Sequence, residues 1–327
     1  MSTQELWVLA EMGASGPKKV SFELMSKASA LAAAMSLTPA AVILGGDDAA
    51  ARTMAEYGAS QAYIATDERF ASYYASPVSD TLSAMIAERK PAAVFFAATG
   101  LGKDVMGRVA ARNRLGMLAD CVAVEARGGS LVATEAAFGG SLLVDCTCVG
   151  SAPQLLSFPP NTFPATKKPS ANLEIERVSA VFNEKTAVRI VERIVGVQAR
   201  LSLEEASIIV SGGRGLGSAD KFAVLEDLAQ ALGAAIGASR AAVDAGWRPY
   251  AEQVGQTGKT VKPNVYIACG ISGAIQHKVG MQTAEHIIAI NKDAEAPIFS
   301  FADVGVVGDL FEILPRLTAE IKRRKGG

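Results

Sequence analysis

The sequence predicts an α/β protein of two domains: an N-terminal domain with a Rossmann-like parallel sheet and an antiparallel extension, and a C-terminal, doubly wound domain. Two observations support this prediction. Short apolar segments typical of buried strands alternate with segments whose apolar residues recur at helical spacing, the pattern of a parallel sheet covered by helices. The chain has 327 residues, above the usual size of one domain, and half of them are apolar, enough for two cores.

The first domain is predicted over residues 1–195. Strands are expected at residues 6–10, 41–44, 62–65 and 93–97, with helices at 20–35, 49–57, 78–88 and 103–112. Short strands separated by glycine pairs then favour hairpins, and hence an antiparallel extension, at residues 121–124, 131–135, 141–148 and 154–158. The proline-rich residues 158–164 are expected to form a loop, followed by strands at 173–182 and 188–195.

The second domain is predicted over residues 196–327, with the boundary near residues 196–202. An apolar strand at 206–210 runs into the glycine-rich loop 211–217, and a helix is expected at 219–232. The glycines fall as GGxGxG rather than the GxGxxG of a dinucleotide fingerprint, and no acidic residue follows at the usual distance. The sequence leaves open whether this loop binds phosphate. It also leaves open whether Arg214 contacts a ligand or is a solvated cation.

Four segments of the second domain that carry polar residues, two of them with glycines, lie at or near the ends of apolar stretches. They cover residues 238–240, 253–259, 270–277 and 286–291. The third follows a predicted strand at 265–269, turns at Gly270 and enters a helix that carries Gln276 and His277. Because parallel strands end at one edge of their sheet, we expect these segments to converge there and bind a ligand.

Charge and cysteine content exclude several classes of function. The 32 basic and 33 acidic residues nearly cancel, which argues against binding to nucleic acid or to an anionic membrane. The four cysteines are expected to be reduced core residues, and the Cys146 and Cys148 pair lacks the second pair that a metal site needs. Neither a signal peptide nor an apolar run of membrane-spanning length is found, so a cytoplasmic protein without membrane insertion is expected.

The C-terminal half resembles a known family. Five segments, at residues 211–215, 238–246, 253–259, 270–277 and 290–293, match in order and spacing the FAD-binding half of the alpha subunit of electron transfer flavoproteins. The match extends over residues 206–327, and residues 1–195 resemble the more variable first domain of that subunit. The resemblance implies an electron carrier rather than a substrate-converting enzyme.

The resemblance also implies a cofactor and partners. One FAD is expected in the second domain, and a heterodimer is expected with a beta subunit that contacts the first domain and holds AMP or a second FAD. Electrons would arrive from flavin dehydrogenases of the acyl-CoA type and leave to another redox partner. Carried over by position, the implied FAD contacts are Arg214, Ser239, Arg240, Val254, Gly255, Gln256, Thr257, Ser272, Gly273, Ala274, Ile275, Gln276, His277, Asn291, Asp309 and Leu310.

Three of these residues are expected to tune the flavin potential. One-electron reduction places negative charge around N1 and the O2 carbonyl of a flavin, so a nearby cation or donor raises its potential. His277 would be such a donor, Arg240 a permanent positive charge over the ring, and Thr257 a hydroxyl for N5. A lone histidine is more often structural, but the surrounding match favours a flavin contact.

The remaining contacts are expected to hold the rest of the cofactor. Arg214, Ser239 and Ser272, with backbone amides near Gly273, would bind the ribityl and pyrophosphate portion. Asn291 and Asp309 would meet the adenosine.

Two alternatives are left open. Within the family, the beta subunit could oxidise NADH at a second FAD in electron bifurcation, and residues 18–24 and 118–121 resemble such members weakly. Outside it, an NAD-dependent dehydrogenase or a sirtuin-like domain is disfavoured by the missing GxGxxG motif and the missing zinc cysteine quartet.

Overall fold

The computed structural model describes residues 4–150, 152–192 and 201–326. The chain divides into two compact units, Met1–Ile194 and Val195–Gly327. The predicted boundary between residues 195 and 196 lies outside the described residues. Each unit contains a parallel sheet with helices, which confirms the predicted α/β class.

The first unit contains fourteen strands among its described residues, most of them short. The strands are β1 (Glu5–Leu9), β2 (Met12–Gly13), β3 (Gly16–Pro17), β4 (Thr38–Leu44), β5 (Gln61–Ala65), β6 (Tyr73–Tyr74), β7 (Ala93–Ala97), β8 (Met117–Leu118), β9 (Ala123–Arg127), β10 (Ser130–Ala137), β11 (Leu142–Cys146), β12 (Gln154–Phe158), β13 (Glu174–Arg177) and β14 (Val188–Arg189). The helices are α1 (Lys19–Met35), α2 (Asp48–Ala55), α3 (Arg69–Ser72), α4 (Ser76–Arg89) and α5 (Gly100–Asn113), with 3₁₀ turns at Phe138–Gly140 and Glu184–Thr186.

Seven of these strands form one parallel sheet. Its order is β13-β5-β4-β1-β7-β12-β8, and every neighbouring pair is parallel. All five residues of β7 are buried, as expected for an apolar strand covered on both faces. The strands predicted at residues 6–10, 41–44, 62–65 and 93–97 all lie in this sheet.

The antiparallel extension is smaller than predicted. It comprises β9, β10 and β11, and a turn at Gly128 and Gly129, both with positive φ, joins the first two strands. Residues 154–158, predicted as part of this extension, instead form β12 of the parallel sheet. This apolar strand is buried beside β7, and such burial depends on the tertiary fold rather than on local turn signals.

The two last predicted strands of the first unit are shorter in the structure. Residues 173–182 contain β13, which is at the edge of the parallel sheet, and 188–195 contain β14, which pairs antiparallel with β6. Residues 193–195 of the latter prediction lie outside the described residues.

The second unit has five described strands and four α-helices. They are β15 (Ile208–Gly212), β16 (Ala235–Ala238), β17 (Val265–Cys269), β18 (His286–Asn291) and β19 (Val304–Val307), with α6 (Ala223–Leu232), α7 (Arg240–Asp244), α8 (Ile275–Met281) and α9 (Leu310–Lys325). Short 3₁₀ turns lie at Arg214–Leu216, Asp220–Phe222, Tyr250–Glu252 and Pro297–Ser300.

The sheet of the second unit is parallel and doubly wound, as predicted. Its order is β16-β15-β17-β18-β19, so the strand order reverses between β15 and β17. Alternate strand residues face two separate cores: Tyr266 packs with Met281 of α8, whereas Ile267 packs with Leu225 of α6 and Leu314 of α9. In such folds ligands bind outside the carboxyl ends of the strands at the point of reversal.

All four cysteines are free. Cys121 and Cys269 are buried as predicted, whereas Cys146 and Cys148 are only half-buried, because the strand that ends at Cys146 lies at the exposed edge of the small sheet. In the described ranges, no three histidine, cysteine or acidic side chains are grouped to hold a metal ion.

Across the described helices, none has both the length and the apolar composition needed to cross a membrane.

Candidate functional site

The base of the site is formed by two backbone loops, one after β15 and one after β17. The amide of Gly213 donates to the carbonyl of Cys269 and that of Gly215 to the carbonyl of Gly270, each at 2.9 Å. A Cβ atom on Gly213 would lie 2.3 Å from the Gly270 carbonyl oxygen, so only glycine permits this approach. The packing of the two loops therefore explains the glycine at this position in the 211–217 loop.

A cavity of about 640 Å³ opens above these loops, within the usual range for small-molecule sites. Its lining comes from the residues that follow the strands β15 to β18 and from the 253–259 loop, so the predicted convergence of polar segments at one sheet edge is observed. The lining residues are Arg214, Gly215, Ser239, Arg240, Ala241, Asp244, Val254, Gly255, Thr257, Gly270, Ile271, Ser272, Ala274, Gln276, His277, Asn291, Lys292, Asp293, Ala296 and Pro297. We call this cavity the cleft.

Of the sixteen residues predicted to contact a cofactor, five do not line the cleft: Gln256, Gly273, Ile275, Asp309 and Leu310. Gln256 is beside it, with its backbone amide 2.7 Å from the Gln276 carbonyl. Gly273 has a φ of 88° and packs on Ile298, so it shapes the turn before α8. Ile275 is exposed at the start of that helix.

The other two residues outside the cleft lining are at the start of α9, where Asp309 is the N-cap and Leu310 the first helical residue. Asp309 caps this helix, since its carboxylate accepts a hydrogen bond from the amide of Phe311 at 2.8 Å. Leu310 is buried in the core against α6. Their predicted roles in cofactor contact stay predictions.

Two arginines supply positive charge to the cleft. Arg214 is exposed in the 3₁₀ turn after β15, and Arg240 is exposed at the start of α7. The Arg240 guanidinium Nε lies 3.2 Å from a carboxylate oxygen of Asp244, with both side chains more than 60% exposed. Because exposed ion pairs are weak, Arg240 can exchange this partner for a ligand at small cost.

The 253–259 loop is fixed by hydrogen bonds at both ends. Gln253 is buried, its carbonyl accepts from the Lys259 amide at 2.8 Å, and its side-chain Nε2 donates to the Thr257 hydroxyl at 3.1 Å. The Tyr250 hydroxyl donates to the Thr257 carbonyl at 2.6 Å. On the other side Gly280 of α8 packs so closely that an added Cβ would lie 2.4 Å from Gly255.

His277 is the most buried polar side chain of the cleft lining, with 6% of its surface exposed. Its Nε2 atom lies 3.0 Å from the hydroxyl of Tyr266 on β17. Burial lowers the pKa of His277 to about 4, and the Val254 backbone acts more weakly in the opposite direction. The ring is therefore neutral at neutral pH, and its buried Nδ1 atom has no hydrogen-bond partner among the described residues.

Asn291, predicted to meet the adenosine, braces two loops of the cleft. Its side-chain Nδ2 donates to the Ile271 carbonyl at 3.0 Å, and its Oδ1 accepts from the Asp293 amide at the same distance. Among the described residues these bonds use one amide proton and one lone pair of Asn291, which leaves one of each for a ligand.

Gln253 and Asp244 lie within the matched segments 253–259 and 238–246 but were not predicted as contacts. Two further residues, Tyr266 and Gly280, support the site without a sequence signal for this role. Tyr266 sits within an apolar strand pattern, and Gly280 is one of many glycines. Only the folded geometry brings them to the cleft.

The residues present fit a cofactor that carries both phosphates and a polar ring. Arg214 and Arg240 provide cations for anionic groups, and His277 adds a buried imidazole to the cleft lining. Together with the strand order, this defines the second unit as a nucleotide-cofactor-binding α/β domain.

Comparisons with known proteins then give the family. The model of the electron transfer flavoprotein FAD-binding domain matches residues 202–282, and that of the electron transfer flavoprotein domain matches residues 6–183. The electron transfer flavoprotein subunit alpha of Mycobacterium leprae is 45% identical, with 98% of this chain and 99% of the relative covered. Protein FixB of Clostridium saccharobutylicum is 41% identical, with 97% and 96% covered. This chain belongs to the electron transfer flavoprotein alpha-subunit family.

Proposed function

We propose that this chain holds one FAD in the cleft of its second unit and acts there as an electron carrier rather than as a substrate-converting enzyme. The observation that carries this proposal is the cleft, where two exposed arginines and the buried imidazole of His277 line one cavity of the second unit, most of it within the matched FAD-binding domain. FAD, rather than the NAD of the alternative hypothesis, is the cofactor that the match supports.

Bound FAD supplies a ring that accepts and releases electrons. The residues of the chain would bind and orient it, with Arg214 at the diphosphate and Arg240 as a positive charge near the ring. Thr257 and His277 would offer donors to ring heteroatoms. Favourable charge and hydrogen bonding at these atoms raise the reduction potential.

We further propose a heterodimer with a beta subunit. The Mycobacterium leprae relative is named subunit alpha, a name that implies a further subunit. The first unit is the proposed contact, since its edge strand β11 exposes Leu142, Leu143 and Val144, an apolar run of the kind found at protein interfaces. A second nucleotide, AMP or FAD, would lie in the beta subunit.

We also propose that electrons arrive from dehydrogenases of the acyl-CoA type and leave to a separate redox acceptor. The proposed location is cytoplasmic. These proposals rest on the family alone. They are tested by reduction of the purified heterodimer with candidate dehydrogenases and by fractionation of cells.

The central experiment is co-expression with the beta subunit, followed by the visible spectrum and a count of released nucleotides. One FAD and one AMP per heterodimer support the simple carrier. Two FAD per heterodimer would instead support electron bifurcation. A colourless complex that does not take up added FAD overturns the proposal.

A further inference from the structure

Tyr250 contacts the 253–259 loop at two places. Its backbone carbonyl accepts a hydrogen bond from the Gln253 amide at 2.9 Å, where the loop begins. Its side-chain hydroxyl donates to the Thr257 carbonyl at 2.6 Å, in the part of the loop that lines the cleft. One residue therefore joins the start of the loop to its cleft-lining part.

The peptide between Thr257 and Gly258 is held from both sides. Because a trans peptide is planar, its C=O and N–H groups point in opposite directions. The N–H of Gly258 donates to the Gly255 carbonyl at 3.0 Å, and the C=O of Thr257 accepts from Tyr250. Among the described residues, no backbone amide donates to this C=O group. The Tyr250 hydroxyl therefore completes the bonding of the peptide and fixes its plane, and with it the direction of the Thr257 side chain.

Arg248 anchors the segment that carries Tyr250. Its guanidinium donates to the Glu252 carboxylate from Nε at 2.6 Å and from Nη2 at 3.0 Å, and from Nη1 to Glu226 of α6 at 2.8 Å. The side chains of Arg248 and Glu252 are only 10% and 14% exposed, so these charge-assisted bonds are largely shielded from water. Tyr250, between the two paired residues, is therefore attached to a fixed backbone.

Burial explains little of the Tyr250 side chain, since 66% of its surface is exposed. A phenylalanine could make the same limited apolar contact, but it could not donate to Thr257. Tyr250 does not line the cleft itself. Its hydroxyl therefore reaches the site through Thr257.

We propose that Tyr250 is a positioning residue that fixes the peptide between Thr257 and Gly258, so that the Thr257 hydroxyl is directed at the ring of the bound cofactor. This inference rests on the proposed function, because the ring belongs to FAD. One-electron reduction adds negative charge to this ring, and a hydroxyl directed at it stabilises that charge.

The test compares Tyr250→Phe with the unaltered chain in the full heterodimer. The variant keeps the exposed ring and removes only the hydroxyl, so it should fold. We expect the dissociation constant of oxidised FAD to rise about threefold to tenfold, the range of one hydrogen bond. The reduction potential for the first electron should fall, because the Thr257 hydroxyl is no longer held towards the ring. Titration of the FAD-free heterodimer and potentiometric titration measure the two quantities.

Thr257→Val tests whether Tyr250 acts through the Thr257 hydroxyl. Valine keeps the shape of the side chain and the backbone carbonyl, but it has no hydroxyl to direct. In this background Tyr250→Phe should leave the potential unchanged, since residues that act as a unit are not additive in a double-mutant cycle. An equal fall of the potential in both backgrounds overturns the proposal.

Tyr74→Phe is the matched control, because it removes the phenol hydroxyl of an exposed tyrosine in the first unit and should alter neither quantity. The two proposals fail separately. A heterodimer that binds no FAD overturns the proposed function. A heterodimer that binds FAD, with the same affinity and potential in Tyr250→Phe as in the unaltered chain, overturns only the positioning role.

Discussion

The side-chain nitrogen of Gln253 donates to the hydroxyl oxygen of Thr257 at 3.1 Å, so the hydroxyl proton of Thr257 is directed elsewhere. Gln253 is only 3% exposed, whereas Thr257 is exposed and lines the cleft. A buried amide thus orients an exposed hydroxyl as a donor.

Substitution of this amide should weaken cofactor binding. We expect Gln253→Ala to raise the dissociation constant of FAD about threefold to tenfold, because the Thr257 hydroxyl is then free to turn away. The heterodimer is stripped of FAD and then titrated with FAD, and fluorescence quenching during the titration gives the dissociation constant. Gln230→Ala, on the exposed face of α6, is the control and should bind normally. Equal affinities in the two variants would contradict the role of Gln253.

Gly280→Ala should displace the 253–259 loop. Its new Cβ would lie 2.4 Å from the backbone of Gly255, and such overpacking costs about 1–3 kcal/mol. Thermal unfolding and FAD titration should both report the loss. Gly107→Ala is the matched control, because nothing lies within 4 Å of the added atom on α5; it should be neutral or stabilising by up to about 1 kcal/mol. Unaltered FAD affinity in Gly280→Ala would show that the loop tolerates the shift.

Asp244→Asn should raise the reduction potential of the bound flavin. The Asp244 carboxylate faces the Arg240 guanidinium at 3.2 Å and offsets its charge, and an exposed pair of this kind contributes up to about 1 kcal/mol, or about 40 mV for one electron. Potentiometric titration measures the shift, which should shrink at high salt. Asp227→Asn on α6 removes an equal charge away from the cleft and should leave the potential unchanged. A lower potential in Asp244→Asn would refute the prediction.

Burial of His277 should make the stability of the FAD-free second unit depend on pH. Its pKa is about 4 in the folded protein against 6.5 ordinarily, so the unfolded chain binds more protons between these values. The stabilisation is complete above about pH 6.5 and is lost as pH falls to about 4, a change of about 3 kcal/mol. Urea unfolding as a function of pH measures it. His277→Asn should flatten this part of the profile, whereas the exposed His286→Asn should not; identical profiles would exclude His277 as the cause.

The strands and the cleft could largely be predicted from local sequence. The prediction of a strand at residues 265–269 is confirmed residue for residue, because its apolar run ends at the positive-φ glycine Gly270. Polar segments after parallel strands must share an edge, so the position of the cleft followed from the alternation of elements.

Local sequence could not predict which strands pair with each other or which side chains form hydrogen bonds. β12 carries the same apolar signal as a hairpin strand, yet it joins the parallel sheet beside β7. The bond between Tyr266 and His277 depends on how α8 packs on β17. Each is set by tertiary packing rather than by spacing along the chain.

The contact between Gly213 and Gly270 also constrains how such a chain can diverge in evolution. A side chain gained at Gly213 would require the loop at Gly270 to withdraw in the same step, since the first change alone would collide with the backbone. The base of the site can therefore change at Gly213 only through paired substitutions. Single substitutions remain open to exposed wall residues such as Arg240 and Asp244, so new redox properties should arise there first.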